Sequence, residues 1–382
     1  MTSGRLNYGV IIGIVAESFL PRVNGVTNSV LRSAKYLKSL GHEVIIIAAG
    51  QNKGEEPLDI EVIRICGVSV PSIHEYDLAI TTKRRLEKIF RSKQFDLLHI
   101  ASPFVLGEIA LRAAKEINIP TVAVYQTDVT GFAKYYGYSS VSKFTDFWLA
   151  HIHNLASVNL VPSKWAMEKL NDLNVRNLQI WGRGVDTESF NPKHRDLSLR
   201  LKWNERADIF VGYVGRLAPE KNIEDLKFIP DSPRIQVVVI GDGPSKYKLQ
   251  EDMPNAIFTG RLTGAQLSQA YASLDVLIAP GRNETFCQVA QEGLAAGLCV
   301  LAPNQGATQE LITNKETGFI YENANDLAFK DIFKELLSDP QIIHNMSLKA
   351  RASVDKNTWD YVCQQLVENY QKVLGRKLAE VA

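Results

Sequence analysis

Short apolar runs alternate with helical stretches from one end of this chain to the other, and that alternation leaves few folds open to it. Val10–Ala16 and His42–Ala48 read as strands, and between them Val30, Leu31, Ala34 and Leu37 form the apolar stripe of a helix over 27–40 that stops at Gly41. Strand, helix, strand is the right-handed crossover unit of a parallel sheet. The pattern recurs with strands over 95–100, 121–125, 158–161, 210–214, 236–240 and 256–259, and with helices over 107–117, 165–173 and 266–274. Ser163 is the expected cap of the helix over 165–173. The fold class expected is therefore α/β, built on parallel sheets.

At 382 residues the chain exceeds one ordinary core and suits two domains. Gly182-Arg183-Gly184-Val185-Asp186 through Asn191-Pro192 carries the punctuation of a link between them. A net charge of +1 lacks the broad basic field of a nucleic-acid binder, so no nucleic-acid partner is expected. The four cysteines, at 66, 287, 299 and 363, show no metal-ligand spacing; no metal is expected, and reduced thiols in a cytoplasm are. The apolar run at Val10–Ala16 is too short for a membrane span and lacks a signal-type cleavage site.

The densest chemistry lies at 280–310. A strand over Asp275–Ala279 ends at Pro280, and the helical spacing of Val289, Ala290, Leu294 and Ala295 places a helix start near Thr285 or Phe286 and its stop at Gly297. Glu284 then falls at the loop-to-helix junction, with Glu292 two turns along. Positions eight apart on a helix lie within about 80° of each other, so one ligand could meet both. On residue pattern alone, two glutamates facing water explain the same letters.

Other candidates sit on loops after strands. Asn24-Gly25 can bring backbone amides to a phosphate at a helix start, or form a plain turn. No GxGxxG fingerprint follows any strand, which argues against a dinucleotide-dependent dehydrogenase. Asp128, after the strand over 121–125, could orient hydroxyls or take a proton, or act as a turn-former or cap. Arg216 and Lys221 lie between a strand and the next helix, where a guanidinium and an ammonium could neutralise a diphosphate; isolated loop bases are usually solvated. Residues 83–93 form a basic amphipathic helix, either a solvated helix packed on the sheet or an interfacial helix resting on anionic headgroups. The aromatics Phe132, Tyr135, Tyr136, Tyr138, Phe144, Phe147 and Trp148 are core, the wall of a ligand cleft or a surface that touches lipid. His151 and His153 cannot both point the same way on a helix.

Glu284-Thr285-Phe286-Cys287-Gln288 through Glu292-Gly293-Leu294-Ala295-Ala296-Gly297 resembles the Glu-(seven residues)-Glu signature of family-four retaining glycosyltransferases, with Cys287 and Gln288 in place of a common glycine and a common apolar residue. V-A-E-S-F-L-P-R-V-N-G-V, R-G-V-D and G-R-L-A-P-E-K extend the likeness over nearly the whole chain, and in combination are most similar to actinobacterial GDP-mannose-dependent α-mannosyltransferases that act on membrane glycolipids.

The resemblance implies two Rossmann-like domains facing across a cleft, the GT-B type. An acceptor-binding domain would span 1–182 and a nucleotide-sugar-binding domain 183–355, with a helix in 356–382 crossing back to the first domain. It implies a retaining transferase moving mannose from GDP-mannose to a glycolipid or phosphatidylinositol mannoside, in the cytoplasm or peripherally at the inner face of the cell membrane. The nucleotide sugar is a substrate, and no cofactor or metal is required. By resemblance Glu284, Arg216 and Lys221 serve catalysis, with Asp128 as the fourth candidate catalytic residue. Asn24, Gly25, Gly241, Gly243, Arg261, Leu262, Phe286, Cys287, Gln288, Val289 and Glu292 complete the donor site with them. Gln126 stands where relatives carry a histidine, which leaves Asp128 as the nearest ionisable group. A transferase using UDP-glucose or another nucleotide sugar, a sugar-nucleotide epimerase and a catalytically silent nucleotide binder remain as alternatives.

Overall fold

The computed structural model describes residues 9–22, 24–50, 59–70, 73–101, 103–126, 128, 142–322 and 324–378. Much of the aromatic-rich stretch, including Phe132, Tyr135, Tyr136 and Tyr138, lies outside them. The chain divides into two compact units, Met1–Gly182 with Asp360–Ala382, and Arg183–Trp359.

The first unit runs β1 (Ile11–Ala16), α1 (Gly25–Ser39), β2 (Glu43–Ala49), β3 (Glu61–Ile65), β4 (Gly67–Val70), β5 (Ile73–Ala79), α2 (Lys83–Lys93), β6 (Leu97–Ile100), α3 (Val105–Glu116), β7 (Thr121–Val124), α4 (Ser142–His153), β8 (Val158–Val161), α5 (Lys164–Asp172) and β9 (Leu178–Ile180). Seven of its strands form a parallel sheet in the order β3-β2-β1-β6-β7-β8-β9, while β4 and β5 pair as a separate antiparallel ribbon. The central strands are buried on both faces, which is why they read as unbroken apolar runs rather than alternating ones. Ile12 and Ile14 of β1 share a core with Val30, Ala34 and Leu37 of α1. Each of the isoleucine, valine and leucine side chains withdrawn from water contributes about 1.5–3 kcal/mol. Asn24 caps α1 by accepting from the Thr27 N–H at 3.0 Å, and Gly41 takes the left-handed φ of +81° beyond the helix end. Ser163 caps α5 as expected, accepting from the Ala166 N–H at 3.0 Å. His151 is exposed, whereas His153 is buried against Asn159 at 2.7 Å.

The second unit runs α6 (Leu197–Trp203), β10 (Ile209–Val214), β11 (Ile235–Ile240), α7 (Lys246–Asp252), β12 (Ile257–Gly260), α8 (Gly264–Ala272), β13 (Val276–Ile278), α9 (Gln288–Ala295), β14 (Cys299–Pro303), β15 (Gly318–Tyr321), α10 (Asp326–Ser338) and α11 (Pro340–Val354). Its six strands are parallel in the order β12-β11-β10-β13-β14-β15. The strand β15 lies beyond the stretches that the sequence marks as strands.

The last helix, α12 (Trp359–Leu374), packs on the first unit from Asp360 onward, as the resemblance implies. Leu366 and Tyr370 enter the core beneath β1, the Trp181 indole donates to the Val362 carbonyl at 2.8 Å, and the Tyr370 hydroxyl meets His99 Nδ1 at 2.6 Å.

In each sheet the strand order reverses once, between β1 and β6 and between β10 and β13. Doubly wound sheets bind ligands outside the carboxyl ends of the strands at such a switch point. The residues after β10 and β13 therefore matter most in the second unit. They include Arg216, Lys221 and Glu284.

Candidate active site

After β10 the backbone turns through Gly215-Arg216-Leu217-Ala218 into a 3₁₀ turn at Pro219–Lys221, passes Asn222 in the left-handed region at φ +53°, and makes a second 3₁₀ turn at Ile223–Phe228. The regular helix expected there is replaced by these turns, which keep the Lys221 ammonium beside the β13 loop. Lys221 Nζ lies 2.7 Å from Glu284 Oε1. A parallel tie fixes the two loops: Arg282 Nη2 donates to Asp225 Oδ2 at 2.8 Å, and the Tyr321 hydroxyl donates to the same oxygen at 3.0 Å. From the loop after β14, the Ala307 N–H donates to the Glu284 carbonyl at 3.0 Å. Gly306, at φ +71°, sits so close that a Cβ would come within 2.7 Å of the Arg282 carbonyl.

The Lys221 and Glu284 side chains keep 30% and 23% exposure, so a ligand can reach both. Burial works against the Lys221 charge, but the Glu284 carboxylate outweighs it and holds the ammonium above its ordinary range. Arg216 is 41% exposed and places Nη1 3.7 Å from Glu220 Oε1. Its carbonyl accepts from the Tyr213 hydroxyl at 2.9 Å, which fixes the start of the loop. Arg216 and Lys221, each with a carboxylate partner in Glu220 and Glu284, thus lie on the loops after β10 and β13, an arrangement suited to an anionic, hydroxyl-bearing ligand.

The expected helix start needs correction. Arg282-Asn283 form a turn and Thr285-Phe286 a bend, Cys287 is extended at φ −96° and ψ 90°, and α9 begins at Gln288. Glu284 therefore stands in the loop, four residues short of the helix, and the angular argument that placed it on one cylinder with Glu292 does not hold. Its pairing with Lys221 is what positions it.

Glu292 lies on the second turn of α9. Burial pushes its carboxyl up to about 7, the Tyr271 hydroxyl donating at 2.9 Å pulls it down, and Asp186 pushes it up. The same helix is tied to the segment that opens the second unit. Gln288 Nε2 donates to the Gly184 carbonyl at 3.1 Å, and Gln291 Nε2 to the Arg183 carbonyl at 2.8 Å. Cys287 is buried and burial pushes its thiol up to about 12, so it is neutral, while Phe286 and Val289 are half-buried beside it.

Gly241 and Gly243 have a packing reason of their own. At φ +147° and +158°, a Cβ would come within 1.8 Å of the Gly215 carbonyl and 2.4 Å of the Leu217 carbonyl. The turn after β11 thereby presses against the Arg216 loop, sealed by the Leu217 N–H donating to the Asp242 carbonyl at 2.9 Å. Arg261 is exposed, and Leu262 is half-buried against the core of the second unit.

In the first unit Asn24 is occupied as a helix cap, with Nδ2 donating to Ser18 Oγ at 2.7 Å. Gly25 begins α1, and nothing lies within 4 Å of where its Cβ would be. Asp128 turns inward: its side chain is 1% exposed, ion-paired with Lys169, and accepts from the Tyr125 hydroxyl at 3.2 Å. Gln126 Nε2 donates to the Ala101 carbonyl. On α2, Leu86 and Phe90 are buried while Arg84, Arg85, Lys88 and Arg91 face outward, and Lys83 pairs with Glu116 at 2.9 Å.

The sequence reading missed Tyr271, Asp225, Arg282 and Glu17. Arg282 adjoins Glu284 in a loop already singled out, but nothing in the letters links it to Asp225 or Tyr271 to Glu292. Glu17, at the end of β1, is buried and accepts from the Leu106 N–H at 2.9 Å. It thereby caps α3, whose N-cap residue Phe104 supplies no side-chain hydrogen bond, and burial pushes its carboxyl up to about 8.

Among the described residues no helix is long and apolar enough to cross a membrane, and no group of three or more His, Cys, Asp or Glu is placed to hold a metal ion.

Residues 23–189 match the family described as Glycosyltransferase Family 4, and residues 199–353 match glycosyl transferases group 1. The GDP-mannose-dependent alpha-mannosyltransferase of Mycolicibacterium smegmatis is 41% identical over 97% of this chain and 100% of its own length. The sulfoquinovosyl transferase SQD2 of Arabidopsis thaliana is 33% identical over 88% of this chain and 68% of its own. Among solved structures, HepE of Anabaena in complex with UDP aligns with a TM-score of 0.76 at 17% identity, covering 94% of this chain and 99% of that one. The sucrose-phosphate synthase of Thermosynechococcus elongatus aligns at 0.77 and 18%, covering 96% and 99%. Those two likenesses show the fold, two Rossmann-like units of GT-B type. With both family matches falling on the two sheets and a relative 41% identical end to end, the chain belongs to glycosyltransferase family 4.

Proposed function

We propose that this glycosyltransferase moves mannose from GDP-mannose, with retention of anomeric configuration, to a lipid-linked acceptor: a glycolipid or a phosphatidylinositol mannoside at the cytoplasmic face of the membrane. The bond between the anomeric carbon and the diphosphate oxygen breaks, and the electron pair leaves with GDP. The acceptor hydroxyl oxygen bonds to that carbon, and its proton passes to the departing diphosphate. Arg216 and Lys221 neutralise the diphosphate, Glu284 holds hydroxyls of the donor sugar, and Glu292 accepts from the ribose. Lys221 and Glu284, 2.7 Å apart and both reachable, can act on adjoining parts of one ligand.

The backbone at Gly241, Gly243, Arg261 and Leu262 borders the nucleotide in this reading, and Phe286, Cys287, Gln288 and Val289 line the donor at the start of α9, where helix amides favour an anion. Asn24 shapes its loop at the start of α1, and Gly25 leaves open the space a Cβ would fill, so backbone amides there are free to take an anion. The two cations supply the neutralisation for which other transferases use a metal, so turnover in excess chelator is the expected result. Asp128, held inward by Lys169, has no part in donor chemistry here. The outward bases of α2 supply a surface for anionic headgroups.

The observation that carries the choice of donor and sugar is the end-to-end likeness to the mycobacterial GDP-mannose-dependent alpha-mannosyltransferase. The test is incubation of labelled GDP-mannose with and without a lipid extract. Label moving to the organic phase only with lipid supports the proposal. Nucleotide that binds and is never consumed points to a silent binder, and consumption indifferent to lipid points to an epimerase or a hydrolase. Faster label transfer from UDP-glucose would overturn the donor.

A further inference from the structure

Tyr271, near the end of α8, is fully buried, packs its ring edge-on against Phe190 with centroids 5.0 Å apart, and donates its hydroxyl to Glu292 Oε2 at 2.9 Å. A glutamate has three rotatable bonds and a carboxylate has acceptor sites on both oxygens, so an untethered Glu292 would sample many orientations. The phenol hydroxyl occupies one oxygen and removes that freedom from the protein side. Tyr271 is itself immobile, because its ring is clasped on α8 and by Phe190 on the segment leading into the unit.

We propose that Tyr271 is a positioning residue for nucleotide binding: its hydroxyl holds Glu292 Oε2 so that Oε1 is presented, preordered, to the ribose diol. This rests on the reading of Glu292 as the ribose acceptor. Ordering the carboxylate before the ligand arrives removes that cost from the binding step. The remaining titratable groups around the pair are Asp186, which faces Glu292 from the segment opening the second unit, and Cys287 and Tyr213, which face Tyr271 from the start of α9 and from β10.

The test uses the full chain, GDP and UDP as probes, and the variants Tyr271→Phe and Glu292→Gln. Tyr271→Phe keeps the ring and its packing and removes only the hydroxyl. Its Kd for GDP should rise about tenfold, and its KM for the sugar nucleotide by a similar factor, with kcat within about twofold. The hydroxyl favours the charged carboxylate, so its loss should also move the acidic limb of the affinity-against-pH curve to higher pH. In the Glu292→Gln background, Tyr271→Phe should add little to the loss of affinity, since the two act as one unit. The outcomes separate the two claims. If Glu292→Gln leaves both nucleotide affinities unchanged, the ribose role and the positioning role fall together. If Glu292→Gln weakens binding and Tyr271→Phe leaves Kd and the pH limb unmoved, only the positioning role falls. A Tyr271→Phe chain that loses melting temperature and kcat while keeping its Kd and pH limb assigns Tyr271 to packing alone and overturns the proposal.

Discussion

Each unit carries a carboxylate paired to a lysine ammonium near the carboxyl edge of its sheet, and the two pairs differ in what water can reach. In Asp128–Lys169 the carboxylate is 1% exposed and takes a further hydrogen bond from Tyr125. In Glu284–Lys221 both side chains keep about a quarter of their surface, at 23% and 30%. A buried carboxylate satisfied by the protein holds the fold; a half-open pair on two loops beside a switch point is available to a ligand. The contrast extends to Glu17, a buried carboxyl whose Oε1 accepts from the Leu106 amide of α3, and to Arg216, which stays 41% exposed.

The largest effect expected is at Lys221. Lys221→Ala removes a cation from the leaving diphosphate and leaves Glu284 without its partner, so kcat/KM should fall by about a thousandfold, comparable to losing one strong electrostatic contact to the transition state. Steady-state kinetics with GDP-mannose measures it, and a loss below about tenfold would erase the distinction between the two pairs.

The matching change in the first unit should strike stability instead. Lys169→Met strands the Asp128 carboxylate among buried neighbours, and breaking a buried pair from one side costs about 3 kcal/mol. The denaturant midpoint should drop, while Asp128→Asn, which removes the charge and keeps the shape, should keep turnover per folded molecule within about twofold. A collapse of turnover in Asp128→Asn without loss of stability would make the first pair functional after all.

Glu17 sharpens the comparison through pH. Its folded carboxyl sits near 8 against an ordinary value of 4.5, so the folded state holds a proton that the unfolded chain has released. Stability from this site is full below the ordinary value and is lost as pH climbs through that window toward 8. Glu17→Gln removes the titration and keeps one oxygen for the Leu106 amide. Between pH 6.5 and 7.5 the variant should gain about 1.2 kcal/mol relative to the parent, read from denaturation curves at the two pH values.

What the letters could tell follows the same division. Strands buried on both faces announce themselves as apolar runs, and Asn24, Ser163 and Gly41 mark helix ends by local chemistry. The expected start of α9 failed because Thr285 and Phe286 continue the apolar spacing, while the tertiary ties of Arg282 to Asp225 and of Ala307 to Glu284 hold the backbone out of a helix. Tyr271 and Glu292 are likewise 21 residues apart, on different helices, and carry no periodicity in common, so their contact exists only in the folded unit. Local physics was legible; loop-to-loop pairing was not.

The smallest effect expected is at Arg261, and it tests whether the second unit grips its ligand with side chains alone. The Gly260 carbonyl accepts from the Gly241 N–H at 2.9 Å, which welds the β12 end to the turn after β11, and Gly260 holds a left-handed φ of +73° with open space around it. In the proposed reading it is backbone here that borders the nucleotide, so removing the exposed Arg261 side chain should change the KM for GDP-mannose by less than about twofold. Gly260→Ala adds no clash but carries a left-handed penalty of about 1 kcal/mol, which re-aims the following amide. Its KM should rise several-fold while Arg261→Ala stays near the parent. If the order reverses, the guanidinium is a ligand contact, and the second unit reads its nucleotide by charge at this edge as well as at Lys221.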